Sequence, residues 1–251
     1  MVLAKRNIKI IIEYDGTNYV GWQKQPISHG PSIQETIEKA LEKITQHPVT
    51  LNGAGRTDSG VHAKGQVANF FTWSRIPVER LPQALSGILP RDVVVKEALE
   101  VPEDFHARYS ALEKTYRYTI RHAKSPSAFQ WRYSYHVHYP LNVDAMRKGA
   151  SYLIGTYDYR SFCAQGSSVK NFVRTVKDIV LYTDSENLYI EVTANGLLYN
   201  MVRIIVGTLV EVGRGRWNPE KVKDILEAKD RRMAGPTMRP EGLALFNVKY
   251  K

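Results

Sequence analysis

Apolar residues recur at every second position from Asn7 to Tyr14, where Ile8, Ile10, Ile12 and Tyr14 share one face. A period of two predicts a half-buried strand, and Asp15-Gly16 turns the chain after it. From Ser32 the period changes. Ser32-Ile33-Gln34-Glu35 reads as a capping box, and Ile33, Ile37, Ala40, Leu41 and Ile44 follow as one helical stripe. A strand is predicted over Gln66 to Thr72, a helix over about Glu79 to Leu89 with Pro82 in its first turn, and a strand over Val93 to Ala98. The second half has the same rhythm. Strands at Tyr116 to Arg121 and Ser134 to Tyr139 precede a helix from Val143 to Ile154, with Gly155 as its stop. Strands at Thr175 to Thr183 and Leu188 to Ala194 lead into a strongly apolar helix, Leu197 to Val212. Asn218-Pro219 caps an amphipathic helix to about Arg231, and the loop Ala234 to Pro240 delivers a last strand, Leu243 to Tyr250.

This order fits two α+β units, each with helices on one face of a mainly antiparallel sheet. No low-complexity linker separates them, so a shared sheet or tight interface is expected. The boundary falls near Phe105 to Ala111, giving an N-terminal half over residues 1–107 and a C-terminal half over 108–251. Identity between the halves is too weak to claim a repeat.

Composition adds a few limits. Hydrophobic residues at 43% and charged ones at 24% are ordinary for a globular chain with a proper core. The longest apolar run, Val202 to Val212, is short for a membrane span and is interrupted by Gly207 and Glu211. No secretory signal is evident, and the single cysteine, Cys163, precludes an internal disulfide, so a cytoplasmic location is expected. The net charge of +10 favours a polyanionic partner, most often nucleic acid. Arg and Lys alternate with rings at Phe105-His106-Ala107-Arg108-Tyr109, Lys114 to Tyr118 and Trp131-Arg132-Tyr133. Cations meet phosphate and rings stack on unpaired bases, as loop RNA requires. Strand packing of fifteen tyrosines would produce similar neighbours.

The stretch richest in chemistry is Gly53-Ala-Gly-Arg-Thr-Asp-Ser-Gly-Val-His-Ala63. Gly55 and Gly60 have the spacing of a phosphate-cradling loop, but Val61-His62 stand where it needs Lys and Ser/Thr. A dinucleotide fingerprint would need glycine at Asp58. What remains is Arg56, a phosphate-seeking cation, two residues from Asp58, a possible nucleophile or base. A structural turn with Asp58 capping backbone amides is the plain alternative. On the apolar helix, Asn200, Arg203, Gly207 and Glu211 form one narrow stripe. Either it faces water, or Arg203 is covered and needs an anion, for which Asp58 is a candidate. His136 and His138 lack a third ligand at metal spacing. Ser59, His62 and Asp58 are too local for a triad.

With these residues in view, the chain resembles the bacterial tRNA pseudouridine synthase A family. The likeness runs through Tyr14 to Gln25, Ala54 to Ala63, Asp104 to Arg108, Tyr116-Arg117-Tyr118, Met201 to Gly207 and Glu241-Gly242-Leu243. It implies isomerisation of uridine to pseudouridine at positions 38 to 40 of the tRNA anticodon stem-loop. It also implies two RRM-like halves sharing one sheet (the pseudouridine synthase fold) and a homodimer on the RNA; the reaction itself needs no metal or cofactor, and no membrane partner is expected. By resemblance, Asp58 is the catalytic aspartate, Tyr116 lies against the target ring, Arg203 is the basic partner of the aspartate and Leu243 is an apolar wall. Arg56 takes the flipped base's place in the stack. Phe105, His106, Ala107, Arg108 and Tyr109, with Gly166, Ser167, Ser168, Val169 and Lys170, are RNA-contacting stretches. A non-catalytic RNA-binding protein and an RNA uracil glycosylase are the rival readings.

Overall fold

The computed structural model describes residues 4–25, 30–167 and 169–251. Its backbone contacts separate one unit ending at Leu112, to which Leu245–Lys251 also belong, from a second unit, Glu113–Ala244.

In the first unit β1 (Arg6–Tyr14) lies between two antiparallel partners. β3 (His62–Thr72) sets Ala68 opposite Ile10, and β4 (Val93–Val101) sets Ala98 opposite the same residue. β2 (Asn52–Gly53) adds to β3, and the strand order is β4-β1-β3-β10, where β10 is Leu243–Lys249. Ile8, Ile10, Ile12 and Tyr14 are buried and Lys9, Ile11 and Glu13 half-buried, the one-sided burial that the alternation dictated. α1 (Ile33–Thr45) starts where the capping box placed it: Ser32 Oγ accepts the Glu35 N–H at 3.2 Å. Its Ile33, Ile37 and Leu41 join Leu81 and Leu85 of α2 (Leu81–Ser86) in the core. The helix expected to Leu89 is instead a 3₁₀ turn, Val78–Arg80, and this short α2 with Pro82 in its first turn. β3 begins four residues before the expected Gln66 and runs through Gly65. A Cβ there would lie 2.7 Å from the Phe246 carbonyl oxygen, so this glycine marks close strand approach and not a break.

In the second unit β5 (Glu113–His122), β9 (Asn187–Ala194), β8 (Val173–Asp184) and β7 (Gly155–Asp158) pair antiparallel in that order. β6 (Tyr135–Val137), shorter than expected, joins β5 in parallel. α3 (Val143–Ser151), α4 (Met201–Gly213) and α5 (Lys221–Ala228) complete it. α3 ends at Ser151, three residues early. Gly155 (φ 139°) is not its cap but the entry to β7, where a Cβ would meet the Tyr157 ring at 2.6 Å. α4 begins later than periodicity suggested because Asn200, at φ 58°, is left-handed. Lys229, at φ 51°, ends α5 short of Arg231 for the same reason. Both units are therefore α+β with mainly antiparallel sheets, the class expected.

Candidate active site

In the first unit, Asp58 lies in the connection between β2 and β3, and each side of that connection is tied to the segment Tyr14–Trp22. Trp22 N–H donates to the Thr57 carbonyl at 3.0 Å, and the buried Tyr14 hydroxyl meets Thr57 Oγ1 at 2.7 Å. Beyond Asp58, Ser59 Oγ and the Gly60 N–H both donate to the Tyr19 carbonyl, at 3.2 and 3.3 Å. The Val61 N–H closes a turn on the Asp58 carbonyl at 3.1 Å, with Gly60 at φ 74°. Burial holds the Tyr14 phenol well above its ordinary range, so it stays a neutral hydrogen-bonding group. Next to this clamp, His62 Nδ1 lies 3.0 Å from the Gly16 nitrogen and 3.1 Å from Asp15 Oδ1, which ties the ring to the turn at Asp15–Gly16. Asp15 Oδ1 accepts from Thr17 N–H at 2.9 Å and Thr17 Oγ1 at 2.5 Å, fixing the turn that carries Gly16.

Glycine makes the clamp possible. Gly21 adopts φ 107°, and a Cβ there would sit 2.5 Å from the Thr57 oxygen. Side chains along the loop alternate sharply: Arg56 is exposed, Thr57 buried and Asp58 half-buried. The result is a carboxylate on a backbone with little freedom to relax, the condition for preorganised chemistry. Sequence reasoning singled out Asp58 but assigned no role to Tyr14, Tyr19, Gly21 or Trp22. The available signal was the Gly16 and Gly21 spacing among aromatics, read only as resemblance.

In the second unit the stripe on α4 is covered. A Cβ on Gly207 would fall 1.9 Å from the Pro236 carbonyl oxygen, and Gly235 N–H donates to Thr208 Oγ1 at 3.0 Å. Arg203 Nε donates to the Met238 carbonyl and Nη1 to Asn200 Oδ1, both at 2.6 Å, while Met238 N–H returns to the Arg203 carbonyl. Glu211, buried, pairs with Arg214 and Arg216. The stripe is therefore packed against the 234–240 loop, and the reading in which it faces water does not hold.

The same loop reaches β5, whose Tyr116, Tyr118 and Ile120 share a buried face. The Tyr118 hydroxyl donates to the Arg239 carbonyl at 2.8 Å, and its ring lies where a Gly242 Cβ would be, at 2.5 Å. Burial, reinforced by the Glu241 charge, pushes this phenol up, while Arg203 and Arg239 pull it down. Arg203, Tyr118 and the entry to Leu243 thus share one neighbourhood. Leu243 and Tyr116 are themselves buried. Tyr118 was not singled out, because its hydrogen bond spans 121 residues.

The RNA-contacting stretches differ in character. Ala107 is wholly buried: its N–H donates to Asn69 Oδ1 at 2.9 Å and its carbonyl accepts from Tyr250 at 2.7 Å. Phe105 packs against Tyr250 with the rings tilted and their centroids 5.1 Å apart. These two anchor the segment while Arg108 and Tyr109 face outward, and the Tyr109 ring lies 4.4 Å from that of His106. Gly166, Val169 and Lys170 are exposed and Ser167 half-buried; Ser168 lies outside the described residues. His136 Nε2 bonds the Ala123 carbonyl at 2.8 Å, and no group of three metal-ligating side chains exists among the described residues. Cys163 is buried.

A family model described as tRNA pseudouridine synthase matches residues 10–110 and 150–251. The tRNA pseudouridine synthase A of Moorella thermoacetica is 51% identical over 243 residues, which covers 97% of this chain and 99% of that protein. Its namesake in Thermoanaerobacter sp. (strain X514) is 50% identical over 98% of this chain and 100% of its own length. A third, from Exiguobacterium sp., is 45% identical over 98% of each. Identity at this level from end to end makes the chain a member of the tRNA pseudouridine synthase family.

Proposed function

We propose that this isomerase converts uridine to pseudouridine at positions 38 to 40 of the tRNA anticodon stem-loop, with Asp58 as the catalytic carboxylate. The reaction breaks the N1–C1′ bond, rotates the uracil and joins C5 to C1′. The hydrogen on C5 leaves as a proton and N1 takes one up, so no redox partner is required. It calls for a carboxylate at the sugar, as nucleophile at C1′ or base at C2′, and for walls that hold the detached ring. The observation that carries the reading is Asp58 itself, half-buried on a backbone clamped at Thr57 and Ser59–Gly60. Tyr116 lies against the target ring, Leu243 supplies an apolar wall and Arg203 is the basic partner of the aspartate. Unstacking the base costs a few kcal/mol, which Arg56 offsets by filling the gap. Arg108, Tyr109 and the stretch Gly166–Lys170 contact the RNA. A homodimer in the cytoplasm belongs to the same reading; among the described residues no helix is long and apolar enough to cross a membrane.

The test is tritium release from tRNA carrying 5-³H-uridine, wild type beside Asp58→Ala. Release by the wild type alone, with tRNA binding kept by the variant, is expected. Release by both would remove Asp58 from the chemistry, and free labelled uracil would identify a glycosylase.

A further inference from the structure

The second unit carries an open groove of about 490 Å³ outside the residues assigned to the uridine. It is lined by Arg160, Phe172, Lys229, Asp230, Arg231 and Arg232, together with the segment Cys163–Ser167. Four cations against one carboxylate leave a positive surplus, and the pairing within the groove is uneven. Asp230 is committed to Arg232, whose Nε and Nη2 reach Oδ2 at 2.9 and 2.6 Å. Arg160 meets Asp158 at 3.4 Å and lies over the Phe172 ring at 4.7 Å, making a flat cationic wall. Lys229 and Arg231 have no carboxylate partner among the described residues. Arg231 donates only to neutral oxygens, the Ala234 carbonyl at 3.3 Å and Thr237 Oγ1 at 3.0 Å.

Lys229 has a bland explanation, since it follows the C-terminus of α5, where the helix dipole favours a cation. Arg231 has none. It is half-buried, and burial lowers its pKa, so the fold holds a partly desolvated guanidinium without an anion beside it. A charge kept at that cost is one that an anionic ligand would relieve. The groove is open to solvent, and two of its lining residues, Gly166 and Ser167, belong to the stretch read above as RNA-contacting.

We propose that this groove takes a phosphodiester of the substrate RNA, with Arg231 and Lys229 on the phosphate oxygens and the Arg160–Phe172 wall beside the adjoining nucleoside. The proposal rests on the reading of the chain as a tRNA-modifying enzyme and adds to it a backbone subsite.

The experiment measures tRNA affinity from 50 to 300 mM KCl for the wild type, Lys229→Asn, Lys229→Asn/Arg231→Gln, and a control, Lys39→Gln/Lys43→Gln. Asn tolerates the left-handed backbone at position 229, so the single variant is expected to fold even if the loss of the Arg231 bonds disturbs the double one. The control removes the same two charges from α1 in the first unit. Removal of one cation from a phosphate should reduce the log–log salt slope by about 0.7–0.9, equivalent to roughly a four- to sixfold weaker Kd at 0.15 M. The double variant should show about twice that slope change, equivalent to roughly a fifteen- to thirtyfold weaker Kd, the single variant about half the slope change of the double, and the control little. Equal losses in control and groove variants would reduce the effect to net charge and overturn the subsite. Wild-type binding that ignores salt would overturn it together with the RNA reading. Absence of tritium release with the groove-specific slope change intact would reject the synthase reading and leave the subsite standing.

Discussion

The clamp on the Asp58 loop makes a quantitative prediction at a residue that touches no substrate. Gly21→Ala adds a single methyl group at a backbone of φ 107°, 2.5 Å from the Thr57 oxygen, 3.0 Å from the Asp58 carbonyl carbon and 3.2 Å from the Ser59 nitrogen. Relief of the first contact to an ordinary 3.4 Å needs a displacement of about 0.9 Å. All three obstacles are backbone, so no side chain can rotate away. The displacement would be shared by the loop that carries Asp58 and would stretch the Trp22–Thr57 hydrogen bond. Backbone strain at such a φ costs about 1–3 kcal/mol and the bond about 1 kcal/mol, so urea denaturation should show a loss of about 2–4 kcal/mol. That leaves a protein of ordinary stability folded. Catalysis should suffer more than folding, because a misplacement of about 1 Å at a reacting group costs on the order of a hundredfold. Tritium release under conditions where the variant is folded by circular dichroism is the assay. Gly87→Ala is the control: its φ is −79° and the nearest atom to a Cβ, the Ala84 oxygen, is 3.9 Å away, so stability should be unchanged or slightly raised. A Gly21→Ala protein with wild-type midpoint and wild-type release would refute the clamp.

Asn69→Ala should cost about 2–3 kcal/mol and open the 105–109 segment to proteolysis, because Asn69 joins the Asn7 side chain to the buried Ala107 N–H. Wild-type protease resistance would show the segment to be held by Phe105 and Tyr250 alone. Tyr118→Phe should cost about 1 kcal/mol in urea denaturation through loss of its bond to the Arg239 carbonyl, and a neutral result would detach Tyr118 from the loop. Alkaline pH should destabilise the fold. Burial raises the phenols of Tyr14, Tyr118 and Tyr159, so above pH 10 the unfolded chain gives up protons that the folded one keeps. Stability is complete below pH 10 and falls above it by about 1.4 kcal/mol per unit for each such tyrosine. Phenolate absorbance rising in full ahead of any loss of circular dichroism would contradict the burial.

Local pattern was enough for much of this protein. The alternation at Ile8–Tyr14, the capping box at Ser32 and the apolar stripe behind it depend on near neighbours in the chain, so β1 and α1 were legible. Glycine, asparagine and lysine at positive φ were harder. Gly155 reads as a helix stop but opens a strand, while Asn200 and Lys229 bound helices that their apolar periodicity would have extended. In each case the deciding fact is a backbone angle, which composition expresses only weakly. Asp58 and Arg56 were picked out by residue type and spacing, because carboxylate and guanidinium chemistry is local. The setting of Asp58 was not: the Gly21 approach, the Tyr14–Thr57 bond and the His62–Gly16 bond link positions some forty residues apart. Likewise, periodicity could place Arg203 on a stripe but not say what covered it. Only the return of the 234–240 loop onto Gly207 decides that, since close packing between segments distant in sequence leaves no mark on the pattern within either one.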